Sequence, residues 1–405
     1  MRLETDLLIV GGGPAGMVAG LLFARAGVRT IVLEKHADFL RDFRGDTVHP
    51  STLRIFSELG LLGRLLERPH DKVSGVGAWV GDRHFSLGDF RRFDRRWNFI
   101  AMMPQWEFLD FVATEARRYP HFDLLMEAEA LSLIEEGGRV SGVAYRHGGA
   151  EREARARLVV ACDGRRSVLR GQAALPLREL SAPMDVFWFR LPKARHAENR
   201  TTGIFTGGRI MALIDRGDYW QCAYVFAKGE VEAVRARGLP AFRAEVARLA
   251  PMLAPAVEAV ASWDDVKLLT VALDRLERWH CPGLLAIGDA AHAMSPIGGV
   301  GINVAIQDAV AAANALAGPM ARGHNPDPLL EGVQARRMPA VRTIQGFQNA
   351  AQRRIVGPLL ATSGPVRAPL PLRLMDRFPI LQMLPAAFLG FGPRAEHVRS
   401  PEARL

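Results

Sequence analysis

The fold is decided near the beginning of the sequence by Asp6-Leu-Leu-Ile-Val-Gly-Gly-Gly-Pro-Ala-Gly16. Leu7 to Val10 form a short apolar run of the kind found in buried strands, and a G-x-G-x-x-G spacing follows it directly. In such a turn the first glycine (Gly11) permits the tight bend and the second (Gly13) lets a pyrophosphate approach the backbone. The third (Gly16) lets the helix pack closely on the strand. The stretch therefore predicts a strand–turn–helix unit that binds a dinucleotide.

The residues after the turn complete this unit. Met17 to Ala26 contain few helix breakers and predict a helix whose N-terminus offers free N–H groups to phosphates. Thr30 to Leu33 predict a second buried strand, which ends at Glu34, an acid placed to accept hydrogen bonds from both ribose hydroxyls. Because a carboxylate there disfavours a 2′-phosphate, the predicted adenosine half is that of FAD or NAD. The same predicted contact set includes Pro14, Ala15 and Lys35.

Composition and charge favour an ordinary globular protein that binds small molecules. The 405 residues are 49% hydrophobic and 23% charged, enough for more than one lobe. The net charge of +9 comes from scattered arginines with one cluster at 91–96, a pattern that does not predict nucleic-acid binding. Three widely separated cysteines show no metal-binding spacing, so we expect no metal site and a reducing, cytoplasmic location. No uncharged run is long enough to predict an integral membrane segment.

Two further turns follow buried strands later in the chain. Asp163-Gly164 follows Arg157 to Cys162, and Gly288-Asp289 follows Leu284 to Ile287. In a parallel sheet the carboxyl ends of the strands lie at one edge, so these turns can converge with Gly11 to Gly16 on one extended ligand. The third turn leads through the loop 296–301 into a predicted long helix from Gly301, whose N-terminus is electropositive. His292, near that turn, is expected to be structural and bonded to a backbone carbonyl.

Together these blocks resemble the FAD-binding set of the class A flavoprotein aromatic hydroxylases, the family of p-hydroxybenzoate hydroxylase. The first block is the dinucleotide motif with Glu34, and the second runs from Cys162-Asp163-Gly164 to Arg170. The third runs from Gly288-Asp289-Ala-Ala-His292 to Asp308. The resemblance implies non-covalent FAD and adds further contacts. These contacts are Arg44, Gln105, Asp163, Asp289, Pro296, Gly299, Gly301, Ile302 and Asn303.

The resemblance also implies a reaction. NADH or NADPH would reduce the flavin, and O₂ would supply one oxygen atom for hydroxylation of an aromatic or quinone-like, lipophilic small molecule. The sequence contains no second G-x-G-x-x-G after a strand, which argues against the disulfide reductases that bind two nucleotides. Two alternatives stay open, namely a flavin-dependent reductase of the geranylgeranyl-reductase kind and a non-catalytic FAD-binding accessory protein. No catalytic side chain is required, and His49 is a candidate substrate contact whose alternative is a structural role.

The predicted architecture is α/β, with a Rossmann-like FAD-binding domain (GR2-type) interleaved with a β-sheet substrate domain and followed by C-terminal helices. The FAD-binding domain is predicted in three parts, 1–72, 98–180 and 276–325. The substrate domain takes up 73–97 and 181–275, and the helical tail 326–405. Strands at Met184 to Leu191, Arg209 to Asp215 and Trp220 to Ala227 are expected to form the substrate sheet. Its predicted substrate-binding residues are Phe187, Met211, Gln221 and Tyr224.

The C-terminal tail contains an apolar run, Phe378 to Gly392, that prolines interrupt. It is too short to span a bilayer. The interpretations that remain are an ordinary docking tail, a lip for a lipophilic substrate, and a peripheral contact with a membrane surface.

Overall fold

The structure is a computed structural model that describes residues 2–40, 47–193, 201–362, 364 and 366–403. Its described part forms two large sheets and two small ones, surrounded by helices. The α-helices span Pro14–Arg25, Pro50–Glu58, Leu62–Leu65, Gln105–Ala116, Val168–Gln172, Val231–Ala236, Leu239–Leu249, Gly301–Ala321, Leu330–Ala351, Gly357–Ala361, Leu370–Arg377 and Met383–Phe391. Shorter 3₁₀ segments include Pro251–Ala259, Gly288–Ala290, Ile297–Gly299 and Pro379–Gln382, and a π-helical segment covers Gln352–Val356.

Within the described ranges, the first large sheet has eight strands and is parallel at its centre. Six strands lie side by side in the order His280–Cys281, Leu284–Ala286, Ala150–Ala161, Arg2–Val10, Thr30–Leu33 and Phe122–Leu125. The hairpin of Glu129–Glu136 and Arg139–His147 adds to the strand Ala150–Ala161, with Gly137-Gly138 in its turn. Three adjacent parallel strands, Leu284–Ala286, Ala150–Ala161 and Arg2–Val10, come from distant parts of the sequence. Their carboxyl ends lie next to one another.

The predicted strand–turn–helix unit is present at the centre of this sheet. Strand Arg2–Val10 leads through the glycine turn into helix Pro14–Arg25, in which Met17 and Val18 are fully buried. Gly27 adopts a φ of +85° just after the helix, a conformation that favours glycine. The helix packs against Gly301–Ala321 and Gln105–Ala116, so the main hydrophobic core lies between the sheet and these three helices.

The second large sheet has seven strands in the part of the chain that the structure describes. Their order is Lys267–Leu269, Met184–Pro192, Tyr219–Ala227, Arg209–Asp215, Thr202–Thr206, Gly75–Val80 and Arg83–Asp89. This sheet combines strands from 73–97 with strands from 181–275, which is the pairing that the interleaved organisation expects. The three strands at its centre are antiparallel and extend the predicted ones by a residue at most. The exact domain limits stay a prediction.

Two small sheets, each of three described strands, connect these parts. One contains Thr47–Val48, Ile100–Met102 and Asp71–Val73, and the other contains Leu177–Leu180, Leu273–Leu276 and His292–Ala293. The C-terminal helices pack on the long helix Gly301–Ala321 and on strands of the seven-stranded sheet. Residues 396–403 then return to the helices Pro14–Arg25 and Pro50–Glu58. There Ala403 N–H donates to the carbonyl of Arg25 (2.8 Å), and Val398 N–H donates to Glu58 (2.8 Å).

One described stretch, Ile297–Ala321, is long and apolar enough to cross a membrane by length and composition. In this structure 78% of its most apolar window is buried inside the protein, where it forms part of the core.

Candidate active site

The three glycine-containing turns meet at one edge of the eight-stranded sheet. Val10 lies beside Ala161, and Ala161 lies beside Ala286, so the turn that follows each of these residues occupies the same edge. The approach is close, because a Cβ at Gly11 would stand 2.3 Å from the carbonyl oxygen of Cys162. Gly11 also has a φ of +107°. A side chain at this position is therefore excluded by both space and backbone conformation.

The first turn leaves its backbone open on one side. A Cβ at Gly16 would stand 1.9 Å from the carbonyl oxygen of Gly11, so the turn folds tightly upon itself. Among the described residues, no atom outside the adjacent positions in the sequence lies within 4 Å of the position of a Cβ at Gly13. Glu34 is 6% exposed and accepts the N–H groups of Gly12 (2.9 Å) and His36 (3.0 Å). The turn thus presents accessible backbone beside a fixed carboxylate, as a dinucleotide site requires.

The second and third turns are tied together by arginines. Arg165 Nε donates to Asp289 Oδ2 (3.0 Å), and Arg170 Nη1 donates to the carbonyl oxygen of Ala290 (3.2 Å). Asp163 accepts the N–H of Leu169 (3.3 Å), while burial raises the pKa of its carboxyl group. Its other oxygen, Oδ1, is buried without a hydrogen-bond partner among the described residues. The structure therefore brings Asp163 and Asp289 to one place.

Asn303 connects the loop 296–301 to the segment around Thr47. Its side-chain oxygen accepts the N–H of His49 and the hydroxyl of Thr52, each at 2.8 Å. Its side-chain nitrogen donates to the carbonyl of Thr47 (3.0 Å), whose hydroxyl donates to the carbonyl of Gly299 (2.9 Å). The side chain of Asn303 thus holds the loop in place, while the backbone of Asn303 belongs to the first turn of the helix Gly301–Ala321. The N–H groups of that first turn have no acceptor within the helix.

His292 is buried, and its hydrogen-bond partner differs from the backbone carbonyl that the sequence predicts. Its Nε2 lies 2.6 Å from Asp308 Oδ2, and no backbone carbonyl takes that place. Asp308 also accepts from Arg337 Nε (2.9 Å), and Arg337 Nη1 lies 3.4 Å from Glu396. Burial raises the pKa of Asp308, but His292 and Arg337 outweigh it and hold that pKa below its usual value. All four side chains are at most 3% exposed, and we call them the buried ion network.

Three of the four predicted substrate residues lie on the far face of the seven-stranded sheet. Phe187, Met211 and Tyr224 pack in a core cluster beneath helix Leu239–Leu249. Because side chains alternate between the faces of a strand, their neighbours point the other way. That opposite face carries Trp188, Phe205, Ala212 and Ala223. It packs against Ile297 of the loop 296–301, which we call the cofactor loop. The structure therefore does not bring Phe187, Met211 and Tyr224 to the loop.

Gln221 is the fourth predicted substrate residue. Because side chains alternate along a strand, it lies on the same face of the sheet as Ala223, opposite to Tyr224. It is 2% exposed, and its side-chain oxygen accepts from Arg216 Nε (2.9 Å) and Nη2 (2.8 Å). This pairing holds the amide in place inside the protein.

The remaining predicted cofactor contacts have varied placements. Pro14 and Ala15 begin helix Pro14–Arg25, and Gln105 begins helix Gln105–Ala116. Lys35 is exposed and lines a cleft of about 500 Å³ that also includes Glu127 and Arg146. Pro296, Gly299, Gly301 and Ile302 all lie in or next to the loop before the long helix. Arg44 lies outside the described residues.

Sequence reasoning missed several residues that organise this site. Arg165 and Arg170 stand inside the quoted second motif, so their spacing from Asp163 could have indicated them. Arg337 and Glu396 carry no local signal, because each is one arginine or glutamate in an ordinary helical or loop sequence. Within the described ranges, no group of three or more His, Cys, Asp or Glu side chains is placed to hold a metal ion.

His49 caps the helix Pro50–Glu58 and is fully buried, with Nδ1–H donating to the carbonyl of Leu389 (2.8 Å). Burial lowers its pKa from 6.5 to about 4. The unfolded chain therefore binds a proton near pH 6.5, where the folded protein does not. The contribution of neutral His49 to the free energy of unfolding should be fully present above pH 6.5. It should fall by about 3 kcal/mol as the pH drops to about 4. Urea unfolding at neutral and mildly acidic pH measures this loss.

Other groups also titrate in that range, so the matched variant is His49→Asn, whose amide can still donate to Leu389. The difference between the pH dependences of the two unfolding free energies gives the contribution of His49. Equal pH dependence in both would contradict the assignment.

The comparisons with known proteins agree with this geometry. Residues 4–348 match the family described as an FAD binding domain. The chain is 32% identical over 404 residues to the 6-methylpretetramide 4-monooxygenase of Streptomyces rimosus. That alignment covers 98% of this chain and 94% of the relative.

Two solved structures show the same fold. One is pqsL, a probable FAD-dependent monooxygenase from Pseudomonas aeruginosa, with a TM-score of 0.74, 23% identity, and coverage of 86% of this chain and 96% of that one. The other is OxyS anhydrotetracycline hydroxylase from Streptomyces rimosus, with a TM-score of 0.73, 22% identity, and coverage of 96% and 76%. They confirm the predicted α/β class with a Rossmann-like FAD-binding domain. The chain therefore belongs to the FAD binding domain family and is a class A flavoprotein monooxygenase, an FAD-dependent oxidoreductase.

Proposed function

We propose that this monooxygenase uses NADH or NADPH and O₂ to hydroxylate an apolar aromatic or quinone-like small molecule. The observation that carries the substrate class is the face of the seven-stranded sheet that packs toward the cofactor loop. Trp188, Phe205 and Ala212 belong to this face, and Ile297 of the loop packs with them. Ligand sites are mostly apolar with few polar groups, so an apolar face beside the loop suits a lipophilic compound. The relative that is 32% identical, a 6-methylpretetramide 4-monooxygenase, supports this class.

The residues present fit FAD along the edge of the eight-stranded sheet. Gly13 leaves open space for a diphosphate, and Glu34 stands beside the turn for the ribose. Asp289 and the unpartnered Oδ1 of Asp163 offer acceptors further along the edge. The beginning of Gly301–Ala321 lies close to the third turn, since a Cβ at Gly288 would stand 3.2 Å from the Cβ of Ala305. When bound, FAD would supply the redox chemistry and the activation of O₂ that no amino-acid side chain provides.

The chain itself contributes binding, orientation and exclusion of water. The N-terminus of Gly301–Ala321 carries a partial positive charge, which stabilises negative charge that lies close to it. Asn303 fixes this terminus relative to the segment 47–52 through three hydrogen bonds of its side chain, to Thr47, His49 and Thr52. The apolar residues around Trp188 keep water from that side of the site. None of these tasks needs a side chain that takes up or releases a proton.

The electron donor in this proposal is a nicotinamide nucleotide. The sequence has one G-x-G-x-x-G after a strand, and its geometry suits the flavin nucleotide. NADH or NADPH would therefore bind without a dinucleotide domain of its own. This choice of donor rests on the chemistry of the family and on the absence of a second such motif in the sequence.

The proposal is tested with purified protein loaded with FAD. A panel of phenolic, quinone and polycyclic aromatic compounds is scored for stimulation of NADH and NADPH oxidation, and O₂ uptake is recorded at the same time. We expect at least one compound to stimulate oxidation of one nucleotide, and the product to gain one oxygen atom by mass spectrometry.

Other outcomes decide for the alternatives. A product that has gained two hydrogens without O₂ uptake would identify a reductase that saturates double bonds. A protein that retains FAD but oxidises neither nucleotide with any compound would favour an accessory, FAD-binding role.

A further inference from the structure

The C-terminal helices expose a concentrated set of large apolar side chains. Six of them, Leu370, Leu374, Phe378, Ile380, Leu381 and Leu384, are 36–71% exposed, and we call them the C-terminal apolar patch. The described part of the chain exposes fourteen large apolar side chains altogether, so six of these fall within fifteen residues. Single exposed apolar residues are normal, whereas a concentration of them marks an interaction surface.

The helix Leu370–Arg377 has two distinct faces. Leu372 and Met375 pack inward against Val80 and Phe85 of the seven-stranded sheet. Leu370 and Leu374, one helical turn apart, share the other face and are exposed. The helix therefore has two apolar faces, one packed against the seven-stranded sheet and one exposed to solvent. Such a second face is not needed to hold the helix on the sheet.

Positive charge surrounds the patch. Arg367, Arg373 and Arg377 are exposed in or beside the same helix. The single acid of the helix, Asp376, already has Arg83 Nη2 at 3.6 Å. The whole chain carries +9. An apolar surface with an arginine rim is complementary to a surface that is both apolar and negatively charged.

We propose that the C-terminal apolar patch binds the surface of a membrane that contains anionic phospholipids. The helix would lie in the plane of the interface, with leucine and phenylalanine side chains among the acyl chains and the arginines at the phosphates. A second copy of this chain fits less well. In a twofold contact the same patch faces itself, so the arginine rims would repel each other.

The patch is directly connected to the active site. Leu384 lies in the helix Met383–Phe391, which packs on the strand Arg83–Asp89 and the helix Pro50–Glu58. Leu389 of that helix accepts a hydrogen bond from His49, and its Cδ1 would be 2.6 Å from a Cβ at Gly298. A lipid surface at the patch would therefore lie one helix away from the site. If the proposed function holds, this position gives a lipophilic substrate a short path from the membrane.

The test is flotation of the full-length, FAD-loaded protein with lipid vesicles. Two compositions are compared, pure phosphatidylcholine and phosphatidylcholine with about one-third phosphatidylglycerol, at low and high salt. We expect binding to the anionic vesicles that weakens with salt. The double substitution Leu374→Glu and Phe378→Glu should lower the partition coefficient at least about tenfold.

Matched variants separate the patch from general effects. Met252→Glu places the same charge at another exposed apolar side chain, 59% exposed in a different segment, and should bind like the wild type. Arg373→Gln with Arg377→Gln should weaken binding to anionic vesicles only. Flavin content and thermal midpoint are measured for each variant to establish that it is folded.

Three results would overturn the proposal. The first is equal flotation with anionic and neutral vesicles, and the second is equal loss in the Met252→Glu control. The third is a concentration-dependent dimer, seen by light scattering, that the patch variants abolish while no vesicles bind. Vesicle binding does not depend on turnover, so failure of the hydroxylation assay would leave this test intact.

Discussion

Replacing Arg337 with methionine is expected to lower the free energy of unfolding by about 3–5 kcal/mol. Arg337 is 1% exposed and lies between two buried carboxylates, Asp308 (0%) and Glu396 (3%). Methionine fills a similar volume but leaves both acids without their shared cation. Breaking a buried pair by removing one partner is costly because the remaining charge stays in a medium of low dielectric. Urea unfolding of the wild type and the variant measures the loss.

The adjacent Arg336 provides a matched control. Its Nε donates to Glu396 at 2.7 Å, but its side chain is 42% exposed. Arg336→Met should therefore cost clearly less than Arg337→Met, because the arginine of this pair is open to solvent and Arg337 still lies beside Glu396. Equal losses for the two variants would show that burial does not determine the strength of the network.

Replacing Gly13 with alanine is expected to weaken FAD binding at least about tenfold while leaving the fold of the FAD-free protein intact. Gly13 has a φ of −74° and a ψ of −177°, which alanine adopts freely. Apart from the adjacent positions in the sequence, no atom of the described residues lies within 4 Å of the new Cβ, so the substitution meets no clash in that part of the protein. The methyl group would instead occupy the space through which a diphosphate approaches the backbone. Fluorescence titration of the FAD-free protein with FAD measures the affinity.

Two other glycines give opposite signatures. Gly11→Ala would place a Cβ 2.3 Å from Cys162 O at a φ of +107°, so it should lower the stability of the FAD-free protein itself. Gly63→Ala lies in the helix Leu62–Leu65 and meets no described atom within 4 Å, so it should leave FAD affinity unchanged and raise stability by at most about 1 kcal/mol. Wild-type FAD affinity in Gly13→Ala would sink the assignment of this turn to the diphosphate.

The sequence was most informative where the structure is local. The turn from Gly11 to Gly16 and the hairpin at Gly137-Gly138 depend on residues within about a dozen positions of one another, so spacing alone indicates them. The convergence of three turns was also predictable, because it follows from the geometry of parallel strands. The α/β class with a Rossmann-like FAD-binding domain is confirmed for these reasons.

The orientation of the seven-stranded sheet was not predictable in the same way. The strand Met184–Pro192 is apolar on both faces, with Phe187 and Phe189 on one side and Trp188 on the other. Alternation separates the two sets but does not say which of them faces the cofactor. That choice depends on helix Leu239–Leu249, which covers one face, and on Ile297, which packs on the other. Both contacts join parts of the chain far apart in sequence.

The buried ion network was out of reach for a related reason. His292 and Asp308 stand close together in the sequence, but Arg337 and Glu396 follow only after further helices. A charged residue in a helical or loop sequence is normally at the surface, so nothing local marks these two as buried. They are buried because the C-terminal tail returns to the long helix Gly301–Ala321, where the N–H of Glu396 donates to Gln307 and its carboxylate meets Arg337.

The order of strands in the eight-stranded sheet also has a consequence for synthesis on the ribosome. Arg2–Val10 pairs with Ala150–Ala161, and that strand pairs with Leu284–Ala286. On one side the first strand has Thr30–Leu33, which follows it closely in the sequence. Its neighbour on the other side, Ala150–Ala161, emerges only after more than a third of the chain has been made, and Leu284–Ala286 emerges later still. Contacts between such distant segments slow folding, because chain entropy is lost before they form. We expect nascent chains shorter than about residue 320 to need chaperone protection and to be unable to retain FAD.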